Sequence, residues 1–139
     1  MTAPAEPAPT TIVRMRERST ISWVRWLFHI VTSAAWNVFH AEGGDHYAPP
    51  SMAHEGFVHA SYRDKVVESA RLYFPAGADL VVLRIDPRKL EIGVEEAATP
   101  RGPMPHIRGP IPRAAVCAVL SLADIPREPD HLDPRGSTT

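Results

Sequence analysis

Fifteen of the 139 residues are proline, and they cluster at residues 3–9, 100–112 and 126–134. Proline fixes φ and removes a backbone donor, so a segment dense in it is a poor helix interior or central strand. That distribution confines the packed part of the chain. Residues 1–18 are expected to form a disordered or weakly ordered N-terminal tail, residues 19–125 one domain, and residues 126–139 a disordered C-terminal tail. The middle cluster is expected to be a loop over residues 99–112, with room for at most one short strand.

Apolar residues make up 44% of the chain, enough for one core at this length but not for two. A net charge of −1 gives no global field toward duplex DNA or anionic lipid. Arg14, Arg16, Arg18 and Arg25 form a local basic stretch, sufficient for weak phosphate contact only. One cysteine, Cys117, rules out an intrachain disulfide and reads as a small core residue in a reducing cytoplasm. The apolar residues 21–39 are interrupted by Arg25, His29 and Asn37, too often for a membrane span. No clean apolar stretch followed by a small-residue cleavage site marks a signal peptide, so a cytoplasmic protein is expected.

Residues 23–31 are rich in β-branched and aromatic side chains and predict a strand, best defined over residues 27–31. Thr32 or Ser33 can cap a following short helix that ends near Gly43. Residues 51–55 suit one helical turn closed by Gly56, and residues 57–61 a short strand. A helix follows from Tyr62, with Val66, Val67, Ala70, Leu72 and Tyr73 as its buried stripe. Residues 80–85, apolar on both faces until Arg84, predict a central strand; residues 92–95 and 114–122 predict two more. Without regular βαβ alternation, the order implies an α+β domain with mostly antiparallel pairing.

Three pairs or singles of polar residues stand inside these elements. His29 lies in an apolar strand, where an imidazole either faces a cleft or is satisfied by a backbone carbonyl. His59 and Ser61 alternate on one strand and so share a face, able to bind phosphate or pass a proton, or to form a solvated polar face. His106 and Arg108 alternate between Pro105 and Pro110, which would hold them extended for phosphate or carboxylate recognition, or leave them as exposed charges on an edge strand. His40, His46, His54 and His59 have no ligand-box spacing, so no metal is expected. Trp23, Trp26 and Trp36 read as packing residues, while Tyr47 and Tyr62 flank the motifs and could stack on a ring.

The ordered set Phe28-His29-Ile30-Val31-Thr32, Trp36, Tyr47-Ala48-Pro49-Pro50-Ser51 and Gly56-Phe57-Val58-His59-Ala60-Ser61 resembles the bacterial domain of unknown function 952 family. The segments from Val82 to Leu90 and from Pro105 to Ile111 complete the resemblance, which covers about residues 26–122. It implies an ADP-ribosyltransferase-like split sandwich: two small, mostly antiparallel sheets, two to three short helices and NAD in the cleft between the sheets. The order is also similar to that of the RNA 2′-phosphotransferases, whose Tyr-His-Gly-Thr-like motif would fall on residues 28–32 and His-Leu-Ser on residues 59–61. Ile30 stands in place of the motif's glycine, Phe57 and Val58 in place of an arginine, and His106 and Arg108 roughly where a third-strand carboxylate would be.

The resemblance implies His59, His106 and Ser61 as catalytic residues and His29, Thr32, Tyr62 and Arg108 as ligand-binding ones. The expected function is an NAD or nucleotide cleft, its partner a small-molecule nucleotide or phosphorylated ligand, with glycosidic or phosphate transfer by the His cluster. A non-catalytic binding module and a small-molecule enzyme of a specialised biosynthetic pathway are the alternatives.

Overall fold

A computed structural model describes residues 24–132. The expected N-terminal tail, the arginines at 14, 16 and 18, and Trp23 lie outside the described residues, as do residues 133–139. The described chain is α+β, with two three-stranded and two two-stranded sheets, all antiparallel.

The first larger sheet has the order β2 (Leu27–Thr32), β5 (Leu80–Ile85), β9 (Val116–Ser121). β5 is central, as its two apolar faces require. Val82 packs into a cluster with Trp26, Phe28, Val66, Ile125 and Leu132. Leu83 and Ile85 point the other way, into a larger cluster with Leu27, Val31, Trp36, Tyr47, Val58 and Ile107. The sheet therefore has core on both sides, each alternate residue of β2 and β5 serving one of them.

The second larger sheet has the order β4 (Val58–His59), β7 (Gly102–Ile107), β6 (Val94–Thr99). Here the proline argument fails. The expected loop contains a six-residue strand at the centre of a sheet. The reason is parity. Pro105 gives its carbonyl to Ala60 N–H, toward β4. In an antiparallel ladder a residue's N and O face the same neighbour. The missing donors of Pro103 and Pro105 therefore face the two-residue β4, while Gly102, Met104 and His106 keep the β6 ladder whole.

Thr32 caps α1 (Ser33–Glu42), its side chain accepting from Ala35 N–H at 3.1 Å, and Gly43 closes the helix at φ 73°. β3 (His46–Tyr47) pairs with β8 (Ile111–Pro112), and α2 (Pro50–Glu55) ends at Gly56. α3 (Val66–Tyr73) buries Val66, Ser69 and Ala70. Leu72 and Tyr73, expected in its buried stripe, are 57% and 67% exposed, because the helix lies with its Ser69 side against the sheet.

Two further expectations change. β9 is an edge strand with alternating exposure, not a buried one, and Cys117 lies on its exposed side. Residues 126–132 belong to the domain rather than to a tail. β10 (His131–Leu132) pairs with β1 (Val24–Arg25), Leu132 is 1% exposed, and Arg25 Nε donates to Asp130 at 3.1 Å. Arg84, lying over the Trp26 ring at 4.4 Å, also donates to Glu128 at 2.6 Å. Among the described residues no helix is long and apolar enough to cross a membrane.

Candidate functional site

Among the described residues, the two three-stranded sheets are joined by backbone hydrogen bonds at one bridge, just after β4. Phe28 and Ser61 exchange both backbone hydrogen bonds, at 2.9 and 2.8 Å. Continuing that register, the next rung would join Ile30 to His59. It is not made. The His59 carbonyl instead lies 2.7 Å from His29 Nδ1, so a side chain takes the place of a backbone donor and the strands part.

A cleft of about 400 Å³ opens in the parting. β2 contributes His29, Ile30 and Thr32; β4 and the following bridge contribute His59, Ala60 and Ser61. Tyr47 and residues 49–51 close one end, and Ser69, Tyr73 and Phe74 close the other. Most of this surface is apolar, and among the described residues no Asp, Glu, Lys or Arg lines it.

A carbonyl can only accept, so His29 Nδ1 carries the proton and Nε2 holds a bare lone pair. No donor among the described residues reaches Nε2. Burial pushes the imidazole pKa down to about 4, against the pull of the His59 carbonyl and helped by the nearby His59 charge. His29 is therefore a neutral acceptor at neutral pH. Tyr47, 5.9 Å away between ring centroids, holds it from the side, and Trp36 and Phe39 hold Tyr47.

At the mouth, His59 Nε2 is 2.7 Å from Glu55 Oε1, and His59 and His106, cross-strand partners, have rings 5.6 Å apart. Phe57 stacks on His106 at 3.9 Å. Burial, then the charge of His59, lowers the His106 pKa.

Of the expected residues, His29, Thr32, His59 and Ser61 line one cleft, although Thr32 uses its hydroxyl as a helix cap. His106 stands beside His59 but outside the lining. Arg108 pairs with Glu95 at 3.3 Å, and Tyr62 donates to Glu96 at 2.6 Å beneath the Arg25 guanidinium; neither reaches the cleft. Burial, then the Glu96 bond, raises the Tyr62 pKa. His106, stacked on Phe57, and Arg108, just past the end of β7, both lie outside the cleft lining.

Sequence reasoning missed Glu55, four residues before His59 across the Gly56 turn, a spacing that was visible. It also missed Ser69 and Arg101. Arg101 Nη2 donates to Ser69 Oγ at 2.9 Å, and Ser69 Oγ lies 2.9 Å from Ser61 Oγ. No sequence pattern links residues 61, 69 and 101. Among the described residues no group of three or more His, Cys, Asp or Glu side chains is placed to hold a metal ion.

The crystal structure of protein CC0527 from Caulobacter crescentus is similar, with a TM-score of 0.59 and 24% identity over 68% of this chain and 82% of that one. Its solution structure gives a TM-score of 0.57 and 24% identity over 80% and 89% of the two chains. These likenesses concern the fold. No curated protein matches the chain. Residues 30–119, which carry the end of β2, the cleft lining apart from Phe28 and His29, and the Phe57 cluster, match the family described as "Protein of unknown function (DUF952)", and the chain belongs to that family.

Proposed function

We propose that this chain is a nucleotide-cleft protein of the ADP-ribosyltransferase-like fold, taking NAD or a related nucleoside where its two three-stranded sheets part. The observation that carries the reading is His29. Its Nε2 is an acceptor facing a mostly apolar cleft, with no donor among the described residues. A ligand hydroxyl entering the cleft would donate to this open lone pair, a hydrogen bond worth about 0.5–1.5 kcal/mol net. A ribose hydroxyl has the required chemistry, and Tyr73 and Phe74 bring aromatic side chains to the lining beside which a base or pyridine could pack. The splayed sheets meeting at one bridge support the split-sandwich assignment.

NAD, when bound, supplies a glycosidic bond to a good leaving group. His59 is the residue suited to handle a proton. Glu55 holds its Nε2 and so leaves Nδ1 as the basic atom, the orienting arrangement common to general-base histidines. Since no cationic side chain lines the cleft, the phosphates of such a ligand would lie outside it. The second reading is a module that binds without catalysis, favoured because no carboxylate lines the cleft to polarise a ribose.

Calorimetric titration and thermal shift with NAD, ADP-ribose and AMP test the proposal. NAD at about 100 times its Kd should stabilise the fold by about 2.7 kcal/mol, and His29→Phe should remove the effect. Absence of binding by all three at millimolar concentration would sink it.

A further inference from the structure

We infer that Arg101 and Ser69 form a relay that turns the Ser61 hydroxyl outward as a hydrogen-bond donor, so that the cleft offers an acceptor atom of its ligand a donor aligned by the protein's own bonds. The inference rests on the proposed cleft only for the ligand, since the direction of the relay follows from the protein's own bonds.

The chain of reasoning starts at a charge. A guanidinium only donates, so the 2.9 Å contact from Arg101 Nη2 occupies one lone pair of Ser69 Oγ. Ser69 is 4% exposed, and its own proton needs an acceptor. A helical serine often turns back to the carbonyl four residues earlier, but Ser69 makes no such bond. Ser61 Oγ, at 2.9 Å, is its acceptor among the described residues. Ser69 therefore donates to Ser61. Ser61, itself 5% exposed and lining the cleft, then has a proton with no protein acceptor among the described residues. The order Arg101 to Ser69 to Ser61 runs donor to acceptor throughout, so each bond polarises the next and the Ser61 proton is a better donor than that of an isolated serine.

Arg101 is itself held. Its Nε donates to Glu68 at 2.9 Å, and its backbone N–H donates to Thr99 Oγ1 at 3.0 Å in the turn between β6 and β7. That bond lowers the Glu68 pKa, so the carboxylate stays charged and in place. The cleft thus carries a lone-pair acceptor, His29 Nε2, from β2, and an outward donor, Ser61 Oγ–H, from the bridge. The Ser61 proton is offered to an acceptor atom of the ligand, such as a ribose oxygen, independently of the His29 lone pair.

Two measurements test this. In NMR spectra of the free protein, a slowly exchanging hydroxyl proton should belong to Ser69, with a cross-peak to the Ser61 β protons, and it should vanish in Arg101→Met. Assignment of that proton to Ser61 reverses the relay and overturns the inference. With NAD as the probe, Ser69→Ala and Arg101→Met should each weaken binding roughly tenfold, the loss of about one hydrogen bond. Ser69→Thr, which keeps the hydroxyl, should bind like wild type. Wild-type affinity in both Ser69→Ala and Arg101→Met also overturns it. If the Ser69 proton is found and NAD does not bind wild type, the relay stands and the nucleotide reading falls.

Discussion

Acidifying the protein should expose the burial of His29 directly. The imidazole titrates near 4 when folded and near 6.5 when free, because desolvation disfavours its charged form. The unfolded chain therefore binds the extra proton first, and stability present above pH 6.5 is lost as pH falls toward 4. The difference of 2.5 units corresponds to roughly 3.4 kcal/mol at full effect, with roughly 2 kcal/mol gone by pH 5. No screening discount applies, as the residue is 7% exposed. Urea titrations at intervals from pH 8 to pH 4 would measure it, with His29→Asn as reference. The Asn amide can still donate to the His59 carbonyl but cannot titrate, and acid effects elsewhere cancel in the difference. Wild type should lose roughly 2 kcal/mol more than the variant between pH 7 and pH 5. Parallel curves would mean that the native imidazole is solvated, and the closed description of the strand junction would be wrong.

Leu83→Ala, at a fully buried position in the central strand, should cost about 2–5 kcal/mol in chemical denaturation. Thr32→Ala should cost about 1 kcal/mol by removing the α1 cap, and Thr32→Ser should restore most of it. Ending the chain after Arg127 removes Leu132, Asp130 and Glu128 from their partners, so the melting temperature should fall by more than about 5 °C. Replacing both His59 and His106 with Ala should weaken NAD binding by much less than the sum of the single effects, given rings 5.6 Å apart; additivity would separate them functionally.

What could be read from the sequence was local. The Thr32 cap, the Gly43 and Gly56 terminators and the two-faced apolar run of β5 are each contained within a few residues, and each is found where the pattern places it. What could not be read depends on partners. Two prolines two apart look like a broken strand until the neighbour on their side proves to be only two residues long. The run at residues 114–122 is apolar enough for a core strand, yet its residues alternate between a half-buried face and an exposed one, which carries Cys117 and Val119. The same holds for the site. His29, His59 and Ser61 are visible as polar residues in strands, whereas Ser69 and Arg101 look like ordinary helix and turn residues until the tertiary fold brings them to Ser61.

The missing rung between Ile30 and His59 also bears on self-association. An unpaired strand edge is a template for aggregation, and proteins hide or charge such edges. Beyond Phe28, β2 has one, since the Ile30 N–H and C=O face the cleft with no backbone partner among the described residues. It is an inward edge, walled by β4, Tyr47 and α3, where a strand from another molecule cannot lie alongside. Of the outward edges, β6 carries Glu95 and Glu96, charges that discourage strand addition, whereas β9 presents Cys117 and Val119 to solvent. The opening at His29 therefore gives the fold a place to receive hydrogen bonds from a small molecule while denying them to another chain, and leaves β9 as the side from which self-association would begin.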